Sequence, residues 1–312
     1  MKIFLPGGAG LVGLNLIALL QEKHPDWELL VVDKKSDAVL IARDLFPNVT
    51  FLVEDLCEIA HQQWPEAIQG CQSCVMLQAE IGNTDSTSFE RNNVLSTEVI
   101  LKQLRKAGIS RLVHVSSSVV KSQANDLYTK TKRKQEELVL IHFPNALVLR
   151  PTLMFGWFDR KHLGWLARFM KKLPVFPIPG SGRFIRQPLF VGDFCALIQR
   201  CLEEHSFSGI YDITGLEKIS YIKLMCDLRR ALGARTFIIH LPIPLFAFLL
   251  RCWALISQNP AFTYSQLKAL TAGDQFEIID WPRIFSVPAT PLFWALQITY
   301  MDPHYSQIEM PF

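Results

Sequence analysis

No stretch of this 312-residue chain reaches the roughly 18 uncharged apolar residues of a membrane-crossing helix. The nearest case, Leu241 to Ser257, carries Pro242, Pro244 and Arg251. It reads as a buried or surface-docking helix, with peripheral membrane association left open. Charge of one sign is lacking too. Lys and Arg number 32 against 29 Asp and Glu, a formal +3, and they are scattered, which excludes the basic stripe of a nucleic-acid binder. There is no internal repeat and no low-complexity segment. The first apolar residues are interrupted by Pro6 and several glycines, too early for the core of a secretory signal. Seven cysteines, an odd count, sit mostly in apolar runs. Cys71 and Cys74 have redox or zinc spacing. Cys74, however, begins the strand-like run Cys74-Val-Met-Leu rather than a helix, and no second Cys or His pair completes a metal site. The expectation is reduced structural thiols, no metal and a cytoplasmic protein.

What is present is an ordinary globular composition, 49% hydrophobic and 20% charged. In the first half, strand-like and helix-like periods alternate, the pattern of a parallel sheet flanked by helices. Strands are expected at Lys2–Leu5, Glu28–Val32, Val49–Val53, Cys74–Leu77, Arg111–Val115 and Ala146–Leu149. Helices are expected at Leu11–Glu22, Ser86–Ala107 and Asn125–Ile141. After Pro151 the regularity breaks, with prolines and glycines clustered from Pro174 to Gly182. Val191–His205 again reads as helix and Gly209–Ile213 as strand. The fold class is α/β: a Rossmann-type doubly wound parallel sheet with a smaller, mostly helical C-terminal substrate-binding part. The division predicted is 1–155 for the dinucleotide-binding core and 156–312 for the substrate part, with roughly 188–213 returning to the core sheet.

The strongest local signal is Gly7-Gly8-Ala9-Gly10-Leu11-Val12-Gly13, set between the first strand and first helix. Glycines let the backbone turn tightly and approach a pyrophosphate, whose charge the helix N-terminus favours. Asp33, about 20 residues on at the end of the second strand, is placed to accept hydrogen bonds from the ribose hydroxyls of NAD. Its charge would repel the 2′-phosphate of NADP, so NAD is preferred. Lys34 and Lys35 beside it keep NADP as the alternative.

The spacing Gly7-x-x-Gly10-x-x-Gly13 resembles that of the extended short-chain dehydrogenase/reductase family, the NAD-dependent epimerases and dehydratases, and the likeness extends over most of the chain. Glu54-Asp55-Leu56 is similar to the family's acidic motif after the third strand, whose Asp contacts the adenine. Leu77-Gln-Ala79 matches the cofactor-lining stretch after the fourth strand, and Asn93-Val94-x-x-Thr97 the asparagine motif of the long helix. Val115-Ser-Ser-Ser118 resembles the strand end bearing the catalytic hydroxyl. Aligned on the family pattern it selects Ser117, with Ser116 and Ser118 as fallbacks. Tyr128-Thr-Lys-Thr-Lys132-x-x-x-Glu136 resembles the Y-x-x-x-K signature with its downstream acid, and Leu149-Arg-Pro151-Thr152 the segment passing the nicotinamide. Gly180-Ser-Gly182-x-x-x-Arg186 with Val191-Gly-Asp193 resembles the segment whose arginine approaches a nucleotide diphosphate. Gln187-Pro188 and the pattern Pro242…Pro260-x-Phe262-Thr263 are more like a divergent subgroup related to a respiratory complex I accessory subunit. The latter pattern is shared with hydroxysteroid-dehydrogenase-like relatives.

The resemblance implies a catalytic set of Ser117, Tyr128 and Lys132. Tyr128 and Lys132, four apart, share one helix face. A phenol is a poor base at neutral pH, and a nearby ammonium would lower it. Lys132 would also hold the nicotinamide ribose, and Ser117 would orient the substrate oxygen. Cofactor contacts are expected from Gly7, Gly10, Leu11, Val12, Gly13, Asp33, Asp55, Leu56, Leu77, Ala79, Asn93, Val115, Tyr128, Lys132, Pro151 and Thr152. Substrate contacts are expected from Ser117 and Arg186. The function implied is NAD(P)-dependent hydride transfer at a secondary alcohol or ketone, as in a nucleotide sugar. The absence of an Asp-Glu pair after Ser117 argues against a dehydratase. Val120-Lys121-Ser122 departs from the family's Val-Tyr-Gly, and Phe155 stands where Tyr is common. Two other readings stand: a dinucleotide-binding accessory protein with little turnover, and a sterol-like alcohol dehydrogenase. The partner expected is a small-molecule substrate, with the chain a monomer or homodimer.

Overall fold

The computed structural model describes residues 1–312 apart from 83–84, 123–125, 257–263, 265–266, 268–269, 272–274 and 312. Asn125, Ser257 and the Pro260-x-Phe262-Thr263 pattern therefore lie outside the described residues. The first half runs β1 (Lys2–Pro6), α1 (Leu11–Lys23), β2 (Glu28–Asp33), α2 (Ser36–Leu45), β3 (Thr50–Val53), the short α3 (Trp64–Ala67) and β4 (Ser73–Met76). Next come α4 (Ser86–Phe89), a π-helical turn at Glu90–Leu95, α5 (Ser96–Lys106), β5 (Arg111–Val115), α6 (Leu127–His142) and β6 (Leu147–Pro151). The helix expected over Ser86–Ala107 is thus interrupted by a wider turn, and Asn93 sits within it.

The second half continues β7 (Met154–Phe155), α7 (Leu163–Lys172), β8 (Val175–Pro179), β9 (Ile185–Arg186), β10 (Leu189–Phe190), α8 (Val191–Glu203) and β11 (Gly209–Ile213). Then follow β12 (Ile219–Ser220), α9 (Tyr221–Ala231), β13 (Phe237–Leu241), α10 (Ile243–Ile256) and the helices Trp281–Phe285 and Leu292–Met301. Among the described residues no helix is long and apolar enough to cross a membrane.

Seven strands form one parallel sheet in the order β11-β6-β5-β4-β1-β2-β3. Alternate residues of each strand enter opposite cores. Ile3, Leu5, Val31, Val113 and Leu149 pack on one face, and Phe4, Leu30, Val32, Leu112 and Val148 on the other. Both faces are covered by helices, which is why these strands read as continuous apolar runs. The strand order reverses between β1 and β4, and in such sheets the ligand crevice lies beyond the strand carboxyl ends at that reversal. A third core, with Phe155, Met170, Phe176, Leu224 and Leu296, holds the C-terminal lobe.

The lobe is tied back to the sheet. The Asp193 carboxylate on α8 accepts the Thr290 N–H at 2.8 Å and its hydroxyl at 2.7 Å. The Trp281 indole N–H donates to the Thr214 carbonyl at 2.9 Å, just past β11.

Candidate active site

The parallel strands bring four carboxyl-end loops to one edge: Gly7–Gly13 after β1, Asp33 after β2, Leu77–Glu80 after β4 and Ser116–Ser118 after β5. Gly7 has φ +76°, and a Cβ there would stand 2.5 Å from the Gln78 backbone. A Cβ on Gly13 would meet the Gly8 carbonyl at 2.1 Å, so hydrogen alone lets α1 lie this close to the loop. A Cβ on Gly10 would stand 3.7 Å from the Gly7 carbonyl, an ordinary contact. Gly10 caps α1 without a side-chain bond, and no acid stands in the first turn. The first-turn N–H groups of Leu11, Val12 and Gly13 are left without an intrahelical partner.

Asp33 closes this pocket. Its carboxylate accepts the Ala9 N–H at 3.3 Å and the Lys35 N–H at 3.1 Å. Burial raises the carboxyl, against those two bonds and the nearby Lys35 and Arg160 charges. Lys161 lies near the same group of charges; burial first, then Arg160 and Lys35, bring its ammonium down to about 8.

From the loop, a chain of buried polar side chains leads to α6. Gln78 packs on Gly7 and donates to the Thr97 hydroxyl at 3.2 Å. Gln135 donates to the same hydroxyl at 3.0 Å and to the Gln78 carbonyl at 3.4 Å. Its amide oxygen accepts from Lys132 Nζ, which also donates to the Val115 carbonyl at 3.1 Å. Asn93, in the π-turn, accepts the Glu80 N–H at 2.6 Å and donates to the Thr131 hydroxyl at 2.9 Å. Gln78 Oε1 is buried with no partner, an acceptor left open beside the loop. The glycine backbone of the loop, the first-turn N–H groups without an intrahelical partner and this spare acceptor all fit a dinucleotide.

Helix α6 starts where the Asp126 carboxylate caps the Thr129 N–H at 2.8 Å, and that places Tyr128 in the first turn. Ser117 lies beside the phenol and acts on it, pulling it down. Ser116 instead donates to Glu136 at 2.6 Å, and Ser118 is buried, so of the three serines only Ser117 turns toward Tyr128. Glu136 is also paired with Arg150, which reaches Asp212 at 3.7 Å.

The electrostatics differ from the expectation. Burial raises the Tyr128 phenol, with Ser117 pulling it down and Asp126 adding to the rise; Lys132 is not among the groups acting on it. Lys132 is 1% exposed, and burial, opposed by Glu136, brings its ammonium to about 7. The expected lowering of the phenol by the amine is therefore absent. Gln135 and the Val115 carbonyl supply acceptors that turn the amine inward.

Other expected residues have partners of their own or differ in exposure. The Asp55 carboxylate is held by Arg91 at 2.9 Å and by the Cys57 N–H at 2.9 Å, and Leu56 is buried. Leu77 N–H bonds the Pro6 carbonyl at 3.0 Å, and Ala79 is exposed. Beyond Pro151, the last residue of β6, the Thr152 hydroxyl donates to the Gln187 carbonyl at 2.7 Å and accepts the Gly215 N–H at 3.2 Å. Arg186 donates to the Leu270 carbonyl. Sequence reasoning passed over Gln78, the middle residue of Leu77-Gln-Ala79, and Gln135, an unspecified position just before Glu136. It took Arg150 and Glu136 only as motif flanks, though two opposite charges in neighbouring elements were a signal.

The model of the NAD dependent epimerase/dehydratase family matches residues 3–213. An Arabidopsis thaliana mitochondrial protein, NADH dehydrogenase [ubiquinone] 1 alpha subcomplex subunit 9, is 28% identical over 52% of this chain, and the match spans 46% of that subunit. A Stigmatella aurantiaca 4-hydroxy-2-methyl-3-oxo-4-farnesyl-3,4-dihydroquinoline-1-oxide ketoreductase is 25% identical, over 73% of each chain. Among solved structures, Bacillus cereus UDP-glucuronic acid 4-epimerase in complex with NAD superposes with a TM-score of 0.71 at 18% identity, covering 96% of this chain and 98% of that one.

Proposed function

The chain belongs to the NAD dependent epimerase/dehydratase family, and on that premise we propose that it carries out NAD-linked hydride transfer at a secondary alcohol or ketone of a small molecule. The observation that carries this reading is the continuous polar path from the glycine loop through Gln78 and Gln135 to Lys132, one helical turn from Tyr128. When bound, NAD takes up or gives the hydride. Residues 1–155 hold it: Gly7–Gly13 beneath the pyrophosphate, Asp33 at a ribose, Asp55 and Leu56 toward the adenine. Leu77, Ala79, Asn93, Val115, Pro151 and Thr152 line its remaining length.

Tyr128 Oη exchanges the proton with the substrate oxygen, and Ser117 Oγ fixes that oxygen against the phenol. Lys132, one helical turn on from Tyr128 and held by Gln135 and the Val115 carbonyl, would hold the nicotinamide ribose. Residues 156–312 shape the substrate pocket, with Arg186 as a contact. The Stigmatella ketoreductase supports a ketone on an apolar scaffold as substrate class, alongside the nucleotide sugars of the structural neighbours. The free cysteines support a cytoplasmic setting. We propose a monomer, or a homodimer built on α5 and α6.

The test is calorimetric titration of the full chain with NAD and NADP, followed by a ketone and alcohol screen read by nicotinamide absorbance. Tight NAD binding and turnover that falls in Tyr128→Phe are expected. NAD binding with no turnover, or turnover indifferent to Tyr128→Phe, favours an accessory role, to which the similarity to the complex I subunits lends support.

A further inference from the structure

Helix α10 is apolar on its outer side. In a globular domain the solvent-facing stripe of a surface helix is polar and the opposite stripe is buried. On α10, Leu245, Phe248, Leu249 and Trp253, at helical spacings of three, four and eight from the first, are 45, 61, 48 and 57% exposed, and Leu255 is 89% exposed. The inward stripe, Phe246, Ala247 and Leu250, is only half-buried, and no described residue of the helix is buried. None of its residues joins the three apolar cores. Exposed Phe237 and Ile239 on β13 lead into it.

Much of the chain that builds this part of the lobe is basic. Segments 163–192 and 218–256, which run through α7, β8, β9, β10, β12, α9, β13 and α10, hold eleven Lys and Arg and a single acid, Asp227, with Asp193 and Glu217 at their borders. Asp227 is already taken by Lys223 at 2.8 Å and Arg230 at 3.6 Å. Lys171, Lys172, Arg183, Lys218, Arg235 and Arg251 are exposed. The Gly180–Arg183 turn abuts the start of α10, since a Cβ on Gly180 would lie 3.1 Å from Ile243. Two copies meeting through this face would bring two basic lobes together. A surface with fixed negative charge over an apolar interior fits both features. At 14 residues α10 is about 21 Å long, short of the roughly 30 Å of a bilayer core.

We propose that α10 is a peripheral docking helix that lays its Leu245–Phe248–Leu249–Trp253 face into the headgroup boundary of an anionic bilayer, with the surrounding Lys and Arg on the headgroups. The test is sedimentation of the full-length protein with vesicles of phosphatidylcholine, alone or mixed with phosphatidylglycerol. Partition should be at least about tenfold stronger onto the mixed vesicles and weaken with added salt. The double variant Phe248→Glu/Trp253→Glu should lose at least about tenfold of it while melting at the same temperature, because both side chains already face water. Failure to sediment with anionic vesicles, or sedimentation unchanged in the double variant, overturns the proposal. So does self-association in sedimentation velocity that the same variant abolishes. None of these readouts depends on turnover, so their failure leaves the hydride-transfer reading standing.

Discussion

Helix α1 buries Leu14, Leu16, Ile17 and Leu20 beneath the sheet, whereas α10, of similar length and more apolar, buries none of its described residues. The first follows from a loop in which hydrogen at Gly13 permits close packing. The second follows a two-stranded ribbon, β8 and β13, whose Phe176 and Ile178 enter the third core while α10 adds no residue to it. Similar composition thus serves cohesion in one half and contact with something else in the other. What separates them is whether a neighbouring face exists to receive the side chains.

The largest effect that sharpens this contrast is Gly13→Val. With the added carbon 2.1 Å from the Gly8 carbonyl, the cost should exceed about 4 kcal/mol. Soluble expression and a chemical denaturation curve would read it, and near-normal stability would break the account of the loop. Next comes Tyr128→Phe, expected to lower kcat about 100- to 10,000-fold with an unchanged fold, by steady-state kinetics and circular dichroism. The paired substitutions Leu20→Ala and Leu249→Ala test the contrast itself. The first should cost about 2–5 kcal/mol and the second no more than about 0.5 kcal/mol; equal losses in urea melts would erase the distinction.

The smallest effect concerns Lys132. Its folded pKa near 7 lies below the ordinary 10.5. Between these values the unfolded chain binds a proton that the folded protein does not, so stability rises with pH across that window and the burial penalty is full below it. Lys132→Met should flatten that rise and gain a few degrees of melting temperature at pH 6. A pH slope identical to the parent's would show that the amine is not held near neutrality.

Much of the cofactor half was legible, because its function rides on backbone geometry that only glycine permits, and on strand ends that alternation predicts. Asp33 is legible for the same reason. The direction of the Lys132 amine was not, since it depends on Gln135 at the next turn and on a carbonyl from β5, two elements brought together only by folding. Nor could the serine triplet be resolved by pattern alone, since Glu136 claims Ser116 through tertiary packing. In the C-terminal part, apolar periodicity marks helices equally well whether their faces end up inside or outside. The run after Leu241 accordingly read as a buried or a surface-docking helix, with membrane association open, and its exposure excludes only the buried reading.

The Asp193 carboxylate that receives Thr290, and the Trp281 indole anchored at Thr214, join segments far apart in the chain. The C-terminal third is thereby stitched to α8 and to the outermost strand of the sheet. The C-terminal lobe and the sheet should therefore come apart together in a single cooperative transition. An isolated N-terminal fragment, stripped of those anchors, would expose the flank of α8 and fail to stand as a miniature of the intact molecule.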